Sequence, residues 1–311
     1  METTKRYNDF SSFIKNKFGY RVQKVCINAG FTCPNKDGSK GVGGCTYCNN
    51  NTFNPEYCKP IKPIKVQINE GVAFFSKKYK AQKYLAYFQA YTNTYAPIDD
   101  LKTMYEEALE NDDIIGLVIA TRPDCIDNDV LDYLEELVAR NYFIKLEFGL
   151  ESTNNQTLQD INRCQTHEDA IDAFERANNR GIHLGGHLIL GLPGESRDDM
   201  LEHARKVSKL PINTLKIHHL QIVKHTMMAF QYKNKPEMFT FLDLDDYIDL
   251  IVDFVELLNP NIIIERFFSE SPEKMLIFPK YGLKNFEVKH LVEKRLEQRN
   301  AKQGRLFPIS N

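Results

Sequence analysis

Three cysteines carry the most chemical information in this chain. Cys33, Cys45 and Cys48 stand in the pattern C-x11-C-x2-C inside the stretch FTCPNKDGSKGVGGCTYC (31–48), and Asn49, Asn50 and Asn51 follow it. Thiolates are the soft ligands of iron–sulfur clusters and equally of zinc. Three sulfurs rather than four would leave one iron of a [4Fe–4S] cube without a protein ligand and open to a small molecule. The same Cys-x2-Cys knuckle would hold zinc if Cys26 or Cys58 served as fourth ligand beside Cys33. Spacing alone leaves the two metals about even. A disulfide framework is disfavoured, because seven cysteines is an odd number and no secretory segment is evident. The glycine-rich loop lets backbone pass close to a bulky inorganic core.

Other polar constellations follow apolar runs. Glu147 and Glu151 flank Gly149, and period-two alternation puts Glu147 and Gly149 on one face of a strand, with Glu151 just past its end. An inward carboxylate needs a partner, either the ammonium and ribose hydroxyls of a ligand or a buried cation such as Arg122. His183, His187, His218, His219 and His225 crowd around two neighbouring strands. Such histidines shuttle protons, bind metals or simply sit satisfied in a core. His187 and His218 are the candidates for lining a substrate cavity and for catalysis. Cys125 and Cys164 are read as structural thiols.

The segment TCPNKDGSKGVGGCTYC resembles the cluster loop of radical S-adenosylmethionine (SAM) enzymes, in the branch related to the elongator catalytic subunit. Within that branch it is similar to the bacterial YhcC/YtqA-type proteins. Matching stretches are YLAYFQAYTNTYAP (84–97), GLVIATRPDC (116–125), LEFGLES (146–152), INRCQTHED (161–169), HLILGLPGES (187–196) and KIHHLQIVK (216–224), so the likeness runs through most of residues 18–270. The wider superfamily usually spaces its first two cysteines by three residues; the eleven found here are shared by the narrower family.

The resemblance implies a [4Fe–4S] cluster held by Cys33, Cys45 and Cys48, with SAM at the open iron as source of a 5′-deoxyadenosyl radical. It places SAM contacts at Tyr47 between the last two cysteines, at Gln89, Thr92 and Asn93 after the second strand, and at Gly191, Gly194 and Ile189 around GLPGE. Glu147, Gly149 and Glu151 join that set. It further implies an electron donor such as flavodoxin or ferredoxin and a tRNA substrate. The expected reaction is modification of the wobble uridine, from 5-carboxymethylaminomethyl to 5-aminomethyl. The alternatives are a radical SAM enzyme acting on a small molecule or protein, and a non-catalytic zinc-knuckle protein that binds RNA.

Elements that would position these residues alternate along the chain. Apolar periodicity predicts helices over 7–19, 63–80, 99–111, 128–140, 155–162, 167–180, 197–209 and 243–258. Strands are predicted over 24–29, 84–90, 114–120, 142–150, 182–190 and 214–220, and 262–267 is a further strand or an edge. Thr166 with Asp169, and Ser196 with Asp199, have capping-box spacing, and Gly181 is placed to end a helix. Repeated strand–helix units imply parallel strands with right-handed crossovers, and the polar stretches all follow strands, where such folds build their sites. The expected fold is an α/β six-stranded partial (β/α) barrel of radical SAM type with a C-terminal α-rich extension. Its expected segments are 1–17 at the N-terminus, 18–225 as barrel and 226–311 packed on it, with an irregular excursion at 225–240 and a basic helix near 286–302.

The 311 residues are 42% hydrophobic and 26% charged, ordinary for a globular chain, with no apolar run of membrane length. The expected location is the cytoplasm, where thiols stay reduced. Net charge is −2, yet cations cluster at both ends: Lys5, Arg6, Lys15, Lys17, Arg21 and Lys24, then Lys280, Lys284, Lys289, Lys294, Arg295, Arg299, Lys302 and Arg305. These ends read either as a phosphate-binding face, led by Lys294, Arg295 and Arg299, or as solvated helix surface.

Overall fold

A computed structural model describes residues 5–52, 54–77, 79 and 82–308. The chain begins with α1 (Phe10–Phe18) and β1 (Arg21–Ile27), and the cysteine loop follows. Next come α2 (Ile64–Ser76), β2 (Gln82–Phe88), α3 (Ile98–Leu109), β3 (Ile114–Thr121), α4 (Asn128–Ala139) and β4 (Phe143–Glu151). The series continues with α5 (Asn155–Asp160), α6 (His167–Ala177), β5 (His183–Leu190), α7 (Arg197–Val207), β6 (Thr214–His219) and β7 (Ile222–Val223). Last are α8 (Met227–Asn234), α9 (Leu244–Leu257), β8 (Ile263–Arg266), β9 (Leu276–Phe278) and α10 (Asn285–Gln298).

One parallel sheet runs β1-β2-β3-β4-β5-β6-β8, curled into a half-barrel; β7 and β9 pair separately and antiparallel. The sheet thus has seven strands where six were expected, because the apolar stretch read as strand or edge pairs with β6. Alternation along each strand sorts the side chains. Ala86 and Phe88 face the helices and join the large outer core with Val25, Ile27, Tyr105 and Phe148. Leu85, Tyr87 and Val118 face the interior and form a small separate cluster.

The open seam between β1 and β8 is bridged by α1 and the residues before it. Ile264 N–H donates to Asn8 C=O at 2.8 Å, and Asp9 makes a parallel bridge to Ile264. The phenyl rings of α1 seal the end of the barrel where the strands begin. Phe13 stacks on His183 at 5.0 Å, Phe18 meets Phe143 edge-on at 5.5 Å, and Phe10 lies 4.8 Å from the Lys145 ammonium.

Local differences from the expected elements have local causes. The stretch 225–240 contains α8, started by Thr226, whose hydroxyl caps Ala229 N–H. Helix α2 ends at Ser76 rather than 80; residues 78 and 80 lie outside the described set. Helix α6 stops at Ala177, with Asn178 extended, and Gly181 (φ +72°) serves the turn into β5 instead. Among the described residues no helix is long and apolar enough to cross a membrane.

On α10 and just after it, two of the C-terminal cations considered for phosphate contact are already neutralised. Arg295 pairs with Asp245 and Asp249 at 2.5 Å, and Arg299 with Asp253 at 2.5 Å, all on α9. Lys24 is likewise turned into the barrel, not to solvent.

Both capping boxes form: Thr166 and Ser196 each accept from the N–H three residues on at 3.2 Å, and each aspartate returns the bond. Thr166→Ala and Ser196→Ala should each lower unfolding free energy by about 1 kcal/mol in urea titrations. An unchanged midpoint would mean that these caps do not hold α6 and α7.

Candidate functional site

The cysteine loop is a self-bonded turn pinned by the segment after α5. Lys36 N–H donates to Cys33 C=O at 2.8 Å, Gly44 N–H to Asn35 C=O at 2.7 Å and Cys48 N–H to Cys45 C=O at 3.0 Å. From outside, Thr46 N–H donates to Ile161 C=O at 2.9 Å and Asn162 Nδ2 to Gly44 C=O at 2.9 Å. Gly44 has φ +79°, a left-handed conformation that residues with a side chain rarely adopt, so this corner favours glycine.

Three side-chain N–H groups aim at the thiols. Asn35 Nδ2 lies 3.5 Å and Arg163 Nη1 3.6 Å from Cys45 Sγ, and Asn50 Nδ2 lies 3.9 Å from Cys48 Sγ. Such donors suit a sulfur that carries negative charge, as in a bound cluster. Burial, with Cys45 and Cys33 nearby, pushes the Cys48 thiol up to about 12. Arg163 Nε and Arg122 Nη1 are buried with no protein partner, which leaves polar capacity beside the loop. Among the described residues no three His, Cys, Asp or Glu side chains are grouped tightly enough to close on a single ion. Three thiols that line one cavity, two of them faced by side-chain N–H donors, are a donor set that fits a [4Fe–4S] cluster.

All three cysteines open into one cavity of about 300 Å³ at the carboxyl ends of the strands. Tyr47, Gln89, Thr92, Glu147, Gly149, Glu151, His187, Ile189 and His218 line the same cavity. Asn93, Gly191 and Gly194 do not. Asn93 is wholly buried, with Nδ2 donating to Ala120 C=O at 2.7 Å, while Gly191 (φ +88°) and Gly194 (φ +87°) shape the turn from β5 to α7. Cys26 and Cys58 also lie off the cavity, and burial pushes their thiols up to about 11 and about 12.

A buried guanidinium–carboxyl pair closes the end of the cavity beside the cysteine loop. Arg163 Nη2 donates to Gly149 C=O at 2.8 Å and stands 3.7 Å from Glu151. A Cβ on Gly149 would come within 2.6 Å of Glu151 Oε1 and 2.7 Å of Arg163 Nη2, so a side chain there would split the pair. Burial outweighs Arg163 and pushes the Glu151 carboxyl above its usual range.

Deeper in the barrel lies a network of ions that was not anticipated. Lys145 stands 2.8 Å from Glu147 and 2.5 Å from Glu265; Lys24 stands 3.1 Å and 2.5 Å from the same two carboxylates. Lys216 reaches Glu147 at 2.5 Å, Glu265 at 3.4 Å and the Tyr87 hydroxyl at 3.1 Å. Burial alone would raise the Glu147 carboxyl, but Lys145, Lys216 and Lys24 outweigh it and hold it well below the usual range. For Lys216 burial wins, lowering it to about 7 against the pull of both carboxylates. The expected alternative partner of Glu147, Arg122, is bonded to Asp124 at 2.8 Å instead.

His187 Nε2 sits 3.1 Å from Glu147, and burial with Lys216 pushes the imidazole down to about 4. His218 Nδ1 lies 2.6 Å from Ser269 Oγ, and burial and Arg266 hold this ring well below its ordinary value. Both rings are therefore neutral near pH 7 and present nitrogens that can accept or donate a proton. The residues missed from the sequence are Lys24, Tyr87, Lys145, Arg163, Lys216, Glu265 and Arg266. A lysine two positions from Glu147, and another two from His218, inside otherwise apolar strands, was the available signal.

Two outcomes follow. Alanine at Cys33, Cys45 or Cys48 should abolish bound iron, sulfide and visible absorption, whereas Cys26→Ala, Cys58→Ala, Cys125→Ala and Cys164→Ala should retain them; iron loss in the Cys26 or Cys58 variant would indicate a four-cysteine site. Glu147→Gln should lower stability by about 3–5 kcal/mol in denaturant titration, because buried lysines lose their shared counterion.

The comparisons agree with this geometry. The radical SAM superfamily model matches residues 33–207, and the radical SAM C-terminal domain model matches residues 212–298. The uncharacterized protein YtqA of Bacillus subtilis is 38% identical over 306 residues, covering 98% of this chain and 94% of that protein. Protein YhcC of Escherichia coli is 33% identical over 279 residues, covering 90% and 88%. The solved structure of the archaeal Methanocaldococcus infernus Elp3, with its N-terminus deleted, shares the fold at TM-score 0.69 and 17% identity, covering 91% of this chain and 64% of that one. The chain is a member of the radical SAM superfamily, of the YhcC/YtqA type.

Proposed function

We propose that this enzyme binds a [4Fe–4S] cluster through Cys33, Cys45 and Cys48, binds SAM in the adjoining cavity, and modifies tRNA. The reaction proposed is conversion of a wobble 5-carboxymethylaminomethyl uridine to 5-aminomethyl. The observation that carries the reading is that the three thiols and the neutral imidazoles of His187 and His218 open into a single cavity. Bound there, the cluster and SAM supply hydrogen-atom abstraction by a SAM-derived radical; the chain supplies position and exclusion of water.

Each lining residue has a task in that scheme. Tyr47 and Ile189 offer apolar surface for an adenine, and Gln89, Thr92 and Glu151 offer polar groups for ribose and ammonium. Asn93, Gly191 and Gly194 act from behind the cavity wall, shaping the turns that carry its contacts. Asn35, Arg163 and Asn50 direct N–H groups at the sulfurs. His218 Nε2, buried and without a hydrogen-bond partner among the described residues, is free to face the substrate.

The tRNA part has two supports: the elongator-type fold, and the chemistry at the cavity mouth. There the exposed Tyr91 carries the Lys36 ammonium 5.1 Å from its ring centroid, beside the cysteine loop. An exposed ring under a cation is a stacking platform for an unpaired base. An electron donor such as flavodoxin or ferredoxin is the proposed partner that reduces the cluster.

The test is a whole tRNA nucleoside profile. Cells lacking the protein should accumulate carboxymethylaminomethyl nucleosides and lose aminomethyl and methylaminomethyl forms, and a strain carrying Cys45→Ala should match the deletion. A deletion profile equal to wild type, under conditions of expression, would refute wobble editing and return the substrate to a small molecule or protein.

A further inference from the structure

Arg266 is the one cation of the barrel floor whose charge the protein leaves unmatched among the described residues. Lys24, Lys145 and Lys216 each reach both Glu147 and Glu265. The guanidinium of Arg266 makes no hydrogen bond or ion pair with any described residue, yet it is half-buried and lines the cavity. Glu270, which also lines the cavity, accepts from Asn285 N–H at 2.5 Å and makes no ion pair with Arg266. A guanidinium is charged at every physiological pH, and one that opens to the cavity without an ion pair is free to bind an anion.

The backbone is arranged to produce this exposure. Pairing of β6 with β8 slips between Leu215 and Lys216, so Ile264 faces Leu215 while Arg266 faces Lys216. The slip lets consecutive residues serve the interior: Glu265 joins the lysine network and Arg266 turns to the cavity. Irregularities of this kind commonly re-aim a side chain beside an active site. Next to it, His218 Nε2 is buried and unpartnered while its other nitrogen is engaged by Ser269. Three lysines against two carboxylates beneath add a positive field.

We infer that Arg266, with His218 Nε2 beside it, is the receptor for a carboxylate carried by the substrate, and so determines which substrates the cavity accepts. A carboxylate matches the guanidinium fork in two parallel bonds, and the imidazole nitrogen, as N–H, supplies a third. Assigning that carboxylate to a tRNA side chain rests on the function proposed above; the receptor itself does not. A backbone phosphate shares the anionic chemistry, and the experiment separates the two.

Reconstituted holoprotein, wild type, Arg266→Gln and Arg266→Lys, is titrated with malonate and with inorganic phosphate by saturation-transfer NMR. Melting temperature and visible absorption of each variant serve as controls for folding and cluster content. Malonate affinity should fall at least about tenfold in Arg266→Gln and recover partly in Arg266→Lys, as expected for a charge-assisted bidentate contact. Equal affinity in wild type and Arg266→Gln overturns the inference, as does phosphate binding tenfold tighter than malonate. An equal loss of SAM affinity, read by equilibrium dialysis, also overturns it, because Arg266 would then serve SAM's own carboxylate.

A second arm uses an anticodon stem-loop bearing 5-carboxymethylaminomethyl uridine and its carboxamide analogue. Arg266→Gln should lose kcat/KM on the carboxylate substrate by about 10–100-fold, mainly through KM. If wild type turns over neither stem-loop but the malonate result holds, tRNA editing fails and the receptor stands. If wild type and Arg266→Gln process carboxylate and amide alike, tRNA editing stands and the receptor is wrong.

Discussion

Charges taken out of water inside a barrel must find partners, and Glu147 is where this molecule meets that demand. Its carboxylate takes Lys24 from β1, Lys145 from its own strand, Lys216 from β6 and His187 from β5. Glu265 repeats the service from β8. The two acids thus tie the first, middle and last strands across the interior, where the sheet has no ladder between β1 and β8 to close it. A buried ion network is a weak source of net stability compared with apolar packing, but it penalises any arrangement that leaves one member unpaired. Strand register in the barrel is therefore bound to the placement of these charges.

That network also divides the interior by function. Below it, Phe10 and the other phenyl rings of α1 seal the barrel end. Above it, the cavity rises past His187 and His218 to the cysteine loop. Arg163 works at the upper level much as the lysines do below, answering Cys45, Gly149 C=O and Glu151 from one guanidinium. The site is thus held by side chains on strands and by one pinned loop, an arrangement suited to keeping reacting groups in fixed positions.

Much of this was legible in the residues. Apolar periodicity located the strands that alternate with helices, and both capping boxes formed at the residues whose spacing announced them. The cysteine spacing and the polar stretches after strands pointed to the cavity, and Glu147 and Gly149 do share its inner face. What stayed hidden depends on contacts distant in sequence. Nothing local to Lys24 says that it meets Glu265, and nothing near Arg295 or Arg299 announces the acids of α9. Charge clustering along a chain says little about charge left free at the surface. The helix α8 escaped notice because its apolar residues do not fall on one face, so its signal was a cap and not a period.

The late position of β8 in the chain has a consequence for biosynthesis. As the polypeptide leaves the ribosome, β1 to β6 are complete 46 residues before Glu265 emerges. Until then the interior holds Lys24, Lys145 and Lys216 with Glu147 as their shared acid, and the sheet ends at an unpaired β6 edge. Asn8 and Asp9, made first, wait for the same strand to dock against. A nascent barrel in this state is open, over-charged and able to pair with a wrong strand, the condition in which chaperones are useful. Arrival of β8 joins the β6 edge to Asn8 and Asp9 in one step, so the cavity reaches its final shape only after that strand is made.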